Sequence, residues 1–260
     1  MALHFLLTGA AGALSTGTGG APLEEDLEAQ VGDAVTLTGV EAHHAATVRR
    51  VRVEETVTVG DGRGAWLTGV VESVQPKEVV VRVTSRRDVP APAPRILLVQ
   101  ALAKGDRDEL AVQAATEIGV DEIVPWQAER SISRWDSAKA AKGRARWETI
   151  AREASKQAHR AWLPVVAPLA STADLVERAR GGATVLVLEP TADDALSAAD
   201  LPRDADVVLV VGPEGGIAPA ELTTLEDAGA RLVRLGATVL RTSTAGPAAL
   251  AVVSARLGRW

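Results

Sequence analysis

The run Val210–Leu222, VVGPEGGIAPAEL, decides how the second half of this chain is read. A β-branched apolar segment stops at Gly212, passes through a proline, a lone carboxylate and two more glycines, and resumes at Pro219 as helix-compatible sequence. Two readings fit: a tight turn, or a loop whose backbone lies open to a ligand. Gly212, Gly215 and Gly216 permit positive φ and remove the Cβ that would hold a ligand away from main-chain amides. Pro219 suits a first helical turn, whose amides have no intrahelical partner.

Outward from this loop the texture repeats. RILLVQAL (95–102), VDEIVPW (120–126), ATVLVLE (183–189), ADVVLVVG (205–212) and ARLVRLG (230–236) predict strands. The last three are continuous enough in apolar character to be buried on both faces of a parallel sheet. Between them lies RDELAVQAATEIG (107–119), a helix with Leu110, Ala114 and Ile118 as its apolar positions and Gly119 as its stop. A long basic helix follows over about 138–159, with Trp147, Ile150, Ala151 and Ala154 on one side. STADLVERAR (171–180), a short segment at 194–199, APAELTTLEDAG (218–229) and TSTAGPAALAVVSARLG (242–258) complete the helices. Strand and helix in alternation predict an α/β domain with helices on both sheet faces.

Upstream the pattern is all strand: LHFLL near the start, then AVTLTGV, VRRVRVEETVTVG, GAWLTGVVESV and EVVVRVTS, with GDGRG as a hairpin signal. This predicts a small barrel or sandwich. RRDVPAPAPR intervenes as an extended, proline-rich linker, placing a boundary near Pro90 and dividing residues 1–88 from 89–260.

Composition narrows the function classes. With 260 residues, 47% hydrophobic and 24% charged, the chain is globular. No apolar run reaches the roughly 18–20 residues of a membrane span. MALHFLLTGAAGALSTG has no basic segment before it and reads as mature protein rather than a leader. The absence of cysteine excludes disulfides, zinc–thiolate sites and cysteine nucleophiles, and fits a reducing cytoplasm. The four histidines lack ligand spacing, so no metal is signalled. Net charge is −6, yet nine Lys or Arg face three acids between Arg130 and Arg160, a locally cationic segment that reads either as a phosphate-binding face or as a solvated helix. Trp126, Trp135, Trp147 and Trp162 flank that segment, where packing is their default role.

In open α/β sheets ligands sit beyond the carboxyl ends of the strands. The loops after Leu188, Val211 and Leu235 read LEPTADD, GPEGGIAP and GATVLRTSTAGPAAL. Neither a Walker loop nor a dinucleotide fingerprint is present. The third loop joins Arg241 and the hydroxyls of Thr242, Ser243 and Thr244 to a helix of small residues, among them Ala245, Gly246, Ala248 and Ala249.

GPEGG with RLGATVLRTSTA, preceded by KGDRDELAVQAATEIGVDEIVPWQAERS and EASKQAHRAWLP, resembles the SPOUT-class methyltransferases that act on N3 of a uridine in 16S small-subunit ribosomal RNA. HHAATVRRVR and DGRGAWLTGVV extend the likeness into the first domain. The family pattern carries Glu where Ser243 stands and Pro-Arg where Ala237 and Thr238 stand.

The resemblance implies an N-terminal PUA-like β-barrel, a C-terminal domain with a deep trefoil knot, a homodimer, and S-adenosyl-L-methionine as methyl donor. It implies a donor pocket of Leu188, Glu189, Val211, Gly212, Pro213, Glu214, Gly215, Ile217, Leu235, Gly236, Leu240, Arg241, Thr242, Thr244 and Ala245. Glu214 is the candidate carboxylate for the sulfonium, with Glu189 in competition, and Arg130 or Arg241 the candidate for offsetting charge on the uracil oxygens. Arg49, Arg50, Arg52, Lys104, Arg130, Arg134 and Lys156 are candidate contacts to 16S ribosomal RNA or the small subunit. The competing functions are methylation of a ribose 2′-hydroxyl or a tRNA, and a non-catalytic RNA-binding assembly factor.

Overall fold

The computed structural model describes residues 2–7 and 27–260; the remainder of the N-terminal run weighed as a leader, residues 8–17, lies outside them. The chain divides into two units. One holds the described residues up to Ala91 together with His159–Leu163; the other comprises Pro92–Ala158 and Pro164–Trp260.

In the first unit, strands β1 (Leu3–Leu6), β2 (Ala34–Thr38), β3 (Thr56–Gly60), β4 (Ala65–Gln75) and β5 (Glu78–Asp88) form a sheet in the order β1-β3-β4-β5-β2. β1 runs parallel to β3 and the other pairs are antiparallel. Alternate residues such as Val57, Val59, Leu67, Val79 and Val81 turn inward to make the core. Two register shifts in the β4–β5 ladder curl the sheet. Gly69 lies at one of them, where a Cβ would fall 2.6 Å from the Arg82 carbonyl oxygen. DGRG closes the β3–β4 hairpin as its composition predicts, and the segment His159–Leu163 lies along it: Gly64 N–H donates to the Ala161 carbonyl (3.0 Å) and Leu163 N–H to that of Gly62 (2.8 Å).

Two expectations for this unit change. VRRVRVEETVTVG is strand only over Thr56–Gly60: ahead of it helix α1 (Gly39–His43) runs into a π-helical turn, His44–Val48. Ala42 and Ala45, three apart, are both buried, which is helical rather than alternating spacing. The linker also starts later than its arginines suggest, because Arg86, Arg87 and Asp88 continue β5 in pairing with β4.

The second unit is built on β6 (Ile96–Ala101), β7 (Glu122–Trp126), β8 (Val165–Val166), β9 (Thr184–Leu188), β10 (Val207–Val211) and β11 (Arg231–Val233). All pair in parallel, in the order β11-β9-β10-β6-β7-β8. Helices α2 (Arg107–Ile118), α3 (Ser137–Gln157) and α6 (Thr242–Leu257) cover one face over Ile96, Leu98, Leu209 and Val211. Helices α4 (Thr172–Arg180) and α5 (Pro219–Asp227) cover the other over Leu97, Val99, Val208 and Val210. Alternate residues of each strand therefore feed separate cores, which is why the strands are apolar throughout. Among the described residues no helix is long and apolar enough to cross a membrane.

The buried face of α2 differs from expectation. Ala111, Val112 and Ala115 point inward, while Leu110 is 50% exposed. The small residues let α2 lie close to its neighbours, so close packing selects the face over the largest apolar side chain. On α3, Trp147 is buried edge-to-face against Trp135, their ring centroids 5.5 Å apart. Replacing Trp147 with alanine is expected to cost ~3–5 kcal/mol through lost burial and the cavity left behind. Chemical unfolding of the two proteins measures this; a loss below ~1 kcal/mol would contradict the packing described.

Candidate functional site

The three loops singled out by sequence leave the sheet from one level. In the parallel register Val233 pairs with Leu188, Leu188 with Val211, and Val211 with Gln100. Beyond this row the backbone turns outward and encloses a cavity of about 450 Å³, within the range typical of small-molecule sites. Of the residues expected in a pocket, Leu188, Glu189, Val211, Gly212, Pro213, Glu214, Ile217, Leu235, Gly236, Leu240, Arg241, Thr242 and Ala245 line it. Gly215 and Thr244 do not. A Cβ on Gly215 would instead meet Arg130, and Thr244 is exposed on the first turn of α6. Arg107, Pro190, Gly216, Val233, Arg234, Thr238 and Val239 also line the cavity and were not anticipated.

Local chemistry shapes each wall. In GPEGG the Gly216 amide donates to the Pro213 carbonyl (2.9 Å), closing a turn in which Gly216 has φ +71°, a value only glycine adopts freely. Nothing lies within 4 Å of where a Cβ on Gly236 would stand, so that backbone faces open space. Arg234 joins the first and third loops: its guanidinium donates to the carbonyls of Ala192 and Asp193, its amide to that of Asp194, and its carbonyl accepts from Leu196 N–H. Strand composition suggested only that Arg234 was a strand residue; nothing in the pattern signals a staple between loops.

Glu214 is already engaged. Its Oε1 accepts from Arg107 Nη1 (2.8 Å) and from the Lys104 amide (3.0 Å), and its side chain is only 20% exposed although its backbone is open. Partial burial pushes the carboxyl up, but its own amide, the Lys104 amide and the Arg107 guanidinium together hold it below the usual glutamate value. It is therefore a fixed anion at the cavity wall. Glu189, the competing carboxylate, is drawn into its own turn by the amide and hydroxyl of Thr191.

Arg130 lies beside this loop, with Nη1 donating to the Gly215 carbonyl (3.3 Å). A buried carboxylate, Glu221, supports the turn that carries it. The Glu221 side chain accepts from Glu129 N–H (3.0 Å), Thr172 Oγ1 (2.7 Å) and Ala218 N–H (3.3 Å), tying the segment before Arg130 to the start of α5. Arg241 is exposed at the N-cap of α6, on the rim of the cavity.

The cationic segment is less bare than its composition. Arg146 is bidentate to Glu109, Arg144 pairs with Glu148, and Lys139 with Asp136. Lys156 is buried beside Glu153 rather than presented to solvent. Lys104 and Arg134 are exposed, the latter donating to the Glu129 carbonyl, and Arg49, Arg50 and Arg52 follow one another on the surface of the first unit.

Against known proteins, residues 90–254 match an RNA methyltransferase domain and residues 37–84 an RNA methyltransferase PUA domain. The chain is 45% identical over 233 residues to Ribosomal RNA small subunit methyltransferase E of Mycobacterium bovis, covering 88% of this chain and 89% of that protein. It is 32% identical to the protein of that name from Bacillus subtilis, covering 86% and 92% respectively. The crystal structure of Ribosomal RNA small subunit methyltransferase E from Neisseria gonorrhoeae bound to S-adenosyl methionine superposes with a TM-score of 0.80 at 30% identity, covering 90% of this chain and 95% of that one. A putative methyltransferase of Legionella pneumophila, in complex with the same cofactor, gives 0.79 at 30% identity, covering 89% and 96%.

The Glu214–Arg107 pair has a pH signature. Because the folded-state pKa of Glu214 is depressed, its contribution is complete above the ordinary glutamate range and is lost as pH falls through the depressed value. With Arg107 half-exposed, the pair is worth roughly 1 kcal/mol or less. Arg107→Met is expected to be less stable than wild type at neutral pH by that amount, with the gap closing as pH falls below the ordinary glutamate range and through the depressed value. Urea unfolding across the pH range checks this; a pH-independent gap would show that the loss comes from packing alone.

Proposed function

Because the chain belongs to the ribosomal RNA small subunit methyltransferase E family, we propose that it methylates N3 of one uridine in 16S ribosomal RNA. It is an S-adenosylmethionine-dependent methyltransferase of small-subunit ribosomal RNA. The observation that carries the reading is the cavity beyond the level strand ends, walled by small-residue backbone on three loops with one fixed carboxylate at its edge.

The residues present fit the donor. Gly236 leaves room for a flat base against main chain, and Leu188, Val211, Ile217 and Leu235 supply apolar walls for adenine. Gly212 and Leu240 bring further backbone groups to the same cavity. When bound, the donor supplies an electrophilic methyl on a sulfonium cation. Glu214, ionised in its pairing with Arg107, gives the positively charged end a counter-charge. Its anchoring by the Lys104 amide keeps that charge in place without reorganisation during reaction. Uridine N3 becomes nucleophilic as its proton is lost and negative charge spreads to the flanking carbonyl oxygens. Arg130, steadied against Gly215, and Arg241, at the cavity rim, are the cations able to offset that charge.

For the RNA, Arg49, Arg50 and Arg52 form an exposed cationic run on the first unit, and Lys104 and Arg134 one on the second. The division at residues 88 and 89 then separates an RNA-holding part from a catalytic part. A homodimer, a trefoil knot and a cytoplasmic site of action complete the reading. The knot is supported by the path of the last segment. α6 starts beneath GPEGG, with Thr242 bonded to the Gly212 carbonyl and Gly246 against Leu98 and Val211, while Arg234 ties the first and third loops to each other.

The test is transfer of isotope-labelled methyl from S-adenosylmethionine to small subunits lacking the modification, with the product mapped by mass spectrometry as 3-methyluridine. Methyl on a ribose, or none, would overturn the proposal. Arg241→Ala is expected to lower kcat by ~10²–10³, as loss of a single transition-state donor does, with donor Kd changed less than about threefold. Equal losses in both would assign Arg241 to binding.

A further inference from the structure

Gln100 is the polar exception in β6, ILLVQA, and it is fully buried. It stands in the row where the strands end, paired in register with Val211. Like Leu98 and Ile96, two and four residues before it, it points to the sheet face that α6 covers. Nε2 donates to Thr242 Oγ1 at 2.8 Å and lies 3.3 Å from the Ala101 carbonyl. A main-chain carbonyl can only accept, so nitrogen, not oxygen, must occupy that side of the amide. Thr242 has one hydroxyl proton and gives it to the Gly212 carbonyl at 3.0 Å. The bonds therefore run in one direction, from Gln100 through Thr242 to Gly212. Gln100 Oε1 has no partner among the described residues.

A glutamine with an orphaned acceptor in an apolar strand is poor core design, since an unmet buried acceptor destabilises the fold. A leucine or methionine would pack there more favourably. What the glutamine supplies is orientation. Thr242 and Gly212 both line the cavity, one at the first turn of α6 and the other at the start of GPEGG. Their mutual bond fixes the Gly212 peptide plane, and the Gln100 amide fixes the rotamer of Thr242 by occupying its acceptor side.

We propose that Gln100 is a positioning residue for the methyl donor, acting through Thr242 to hold the Gly212 backbone in its binding orientation at the expense of core stability. The inference rests on the S-adenosylmethionine reading of the cavity. It differs from it in assigning a role to a side chain that does not itself line the site.

The experiment is calorimetric titration of the full chain and its variants with S-adenosylmethionine, alongside thermal unfolding. Gln100→Met, which conserves volume, is expected to weaken binding at least tenfold while Tm stays level or rises. Thr242→Val is expected to weaken it similarly, and Thr242→Ser to restore it to within threefold. The Gln100→Met/Thr242→Val double variant should bind no more weakly than Thr242→Val alone, because both remove one relay. Gln100→Met binding like wild type, or losses that multiply in the double variant, would overturn the inference while leaving the donor site intact. A wild-type chain that does not bind S-adenosylmethionine would remove the reading of the cavity and the inference with it.

Discussion

Three adjacent strands end level and a fourth one residue later: Val233, Leu188, Val211 and Gln100 stand side by side across β11, β9, β10 and β6, fixed by in-register parallel pairing. Apolar cores on both faces hold that register, because a one-residue slip would turn each strand's inward set toward the wrong helices. Everything at the site follows from it. Loops that leave a sheet at one height can close over a shared cavity. Loops leaving at staggered heights would not.

The loops are then locked by polar contacts that no apolar core could provide. Arg234 spans the first and third loops through main-chain carbonyls. Arg107 and the Lys104 amide restrain Glu214 in the second. Thr242 joins the second loop to α6. Glu221, buried under three donors, sets the turn that presents Arg130. The site's walls are thus largely backbone, and its side chains mostly act on that backbone. A cavity lined this way distinguishes ligands by shape and by the pattern of main-chain donors and acceptors, which suits a neutral base edge.

How much of this was legible in the chain depends on the physical signal. Continuous β-branched runs identified β6, β7, β9 and β10, because burial on both faces leaves little freedom of composition. Glycine clusters identified the loops, because positive φ and a missing Cβ leave few alternatives to glycine. The short β8 went unread because two residues, Val165 and Val166, carry no period. The inward face of α2 was misjudged because close helix packing favours Ala111 and Ala115 over the larger Leu110. The start of VRRVRVEETVTVG looked like strand because arginine and valine alternate there, while the alanines just before it that seat a helical turn give a weak hydrophobic signal. Within the site, the GPEGG glycines were found from their loop, and the apolar walls from the family resemblance. Arg107 and Arg234 were missed, since a pairing with a residue some hundred positions away, or with another loop's carbonyls, leaves no trace in local pattern. The basic helix misled in the other direction. Its count included Asp136 and Glu148, which pair with Lys139 and Arg144, but not Glu109 of α2, which lies outside the segment and takes Arg146.

Backbone on three loops, brought level by the sheet, is the adenosyl site we propose. Its most direct test is a crystal structure of this chain grown with S-adenosylhomocysteine, the demethylated product. Adenine is expected between Leu188, Val211 and Leu235, with its edge hydrogen-bonded to main-chain groups of Gly212, Gly236 or Leu240, and the thioether end directed toward Glu214. Product bound elsewhere, or held in this cavity chiefly by charged side chains, would contradict it.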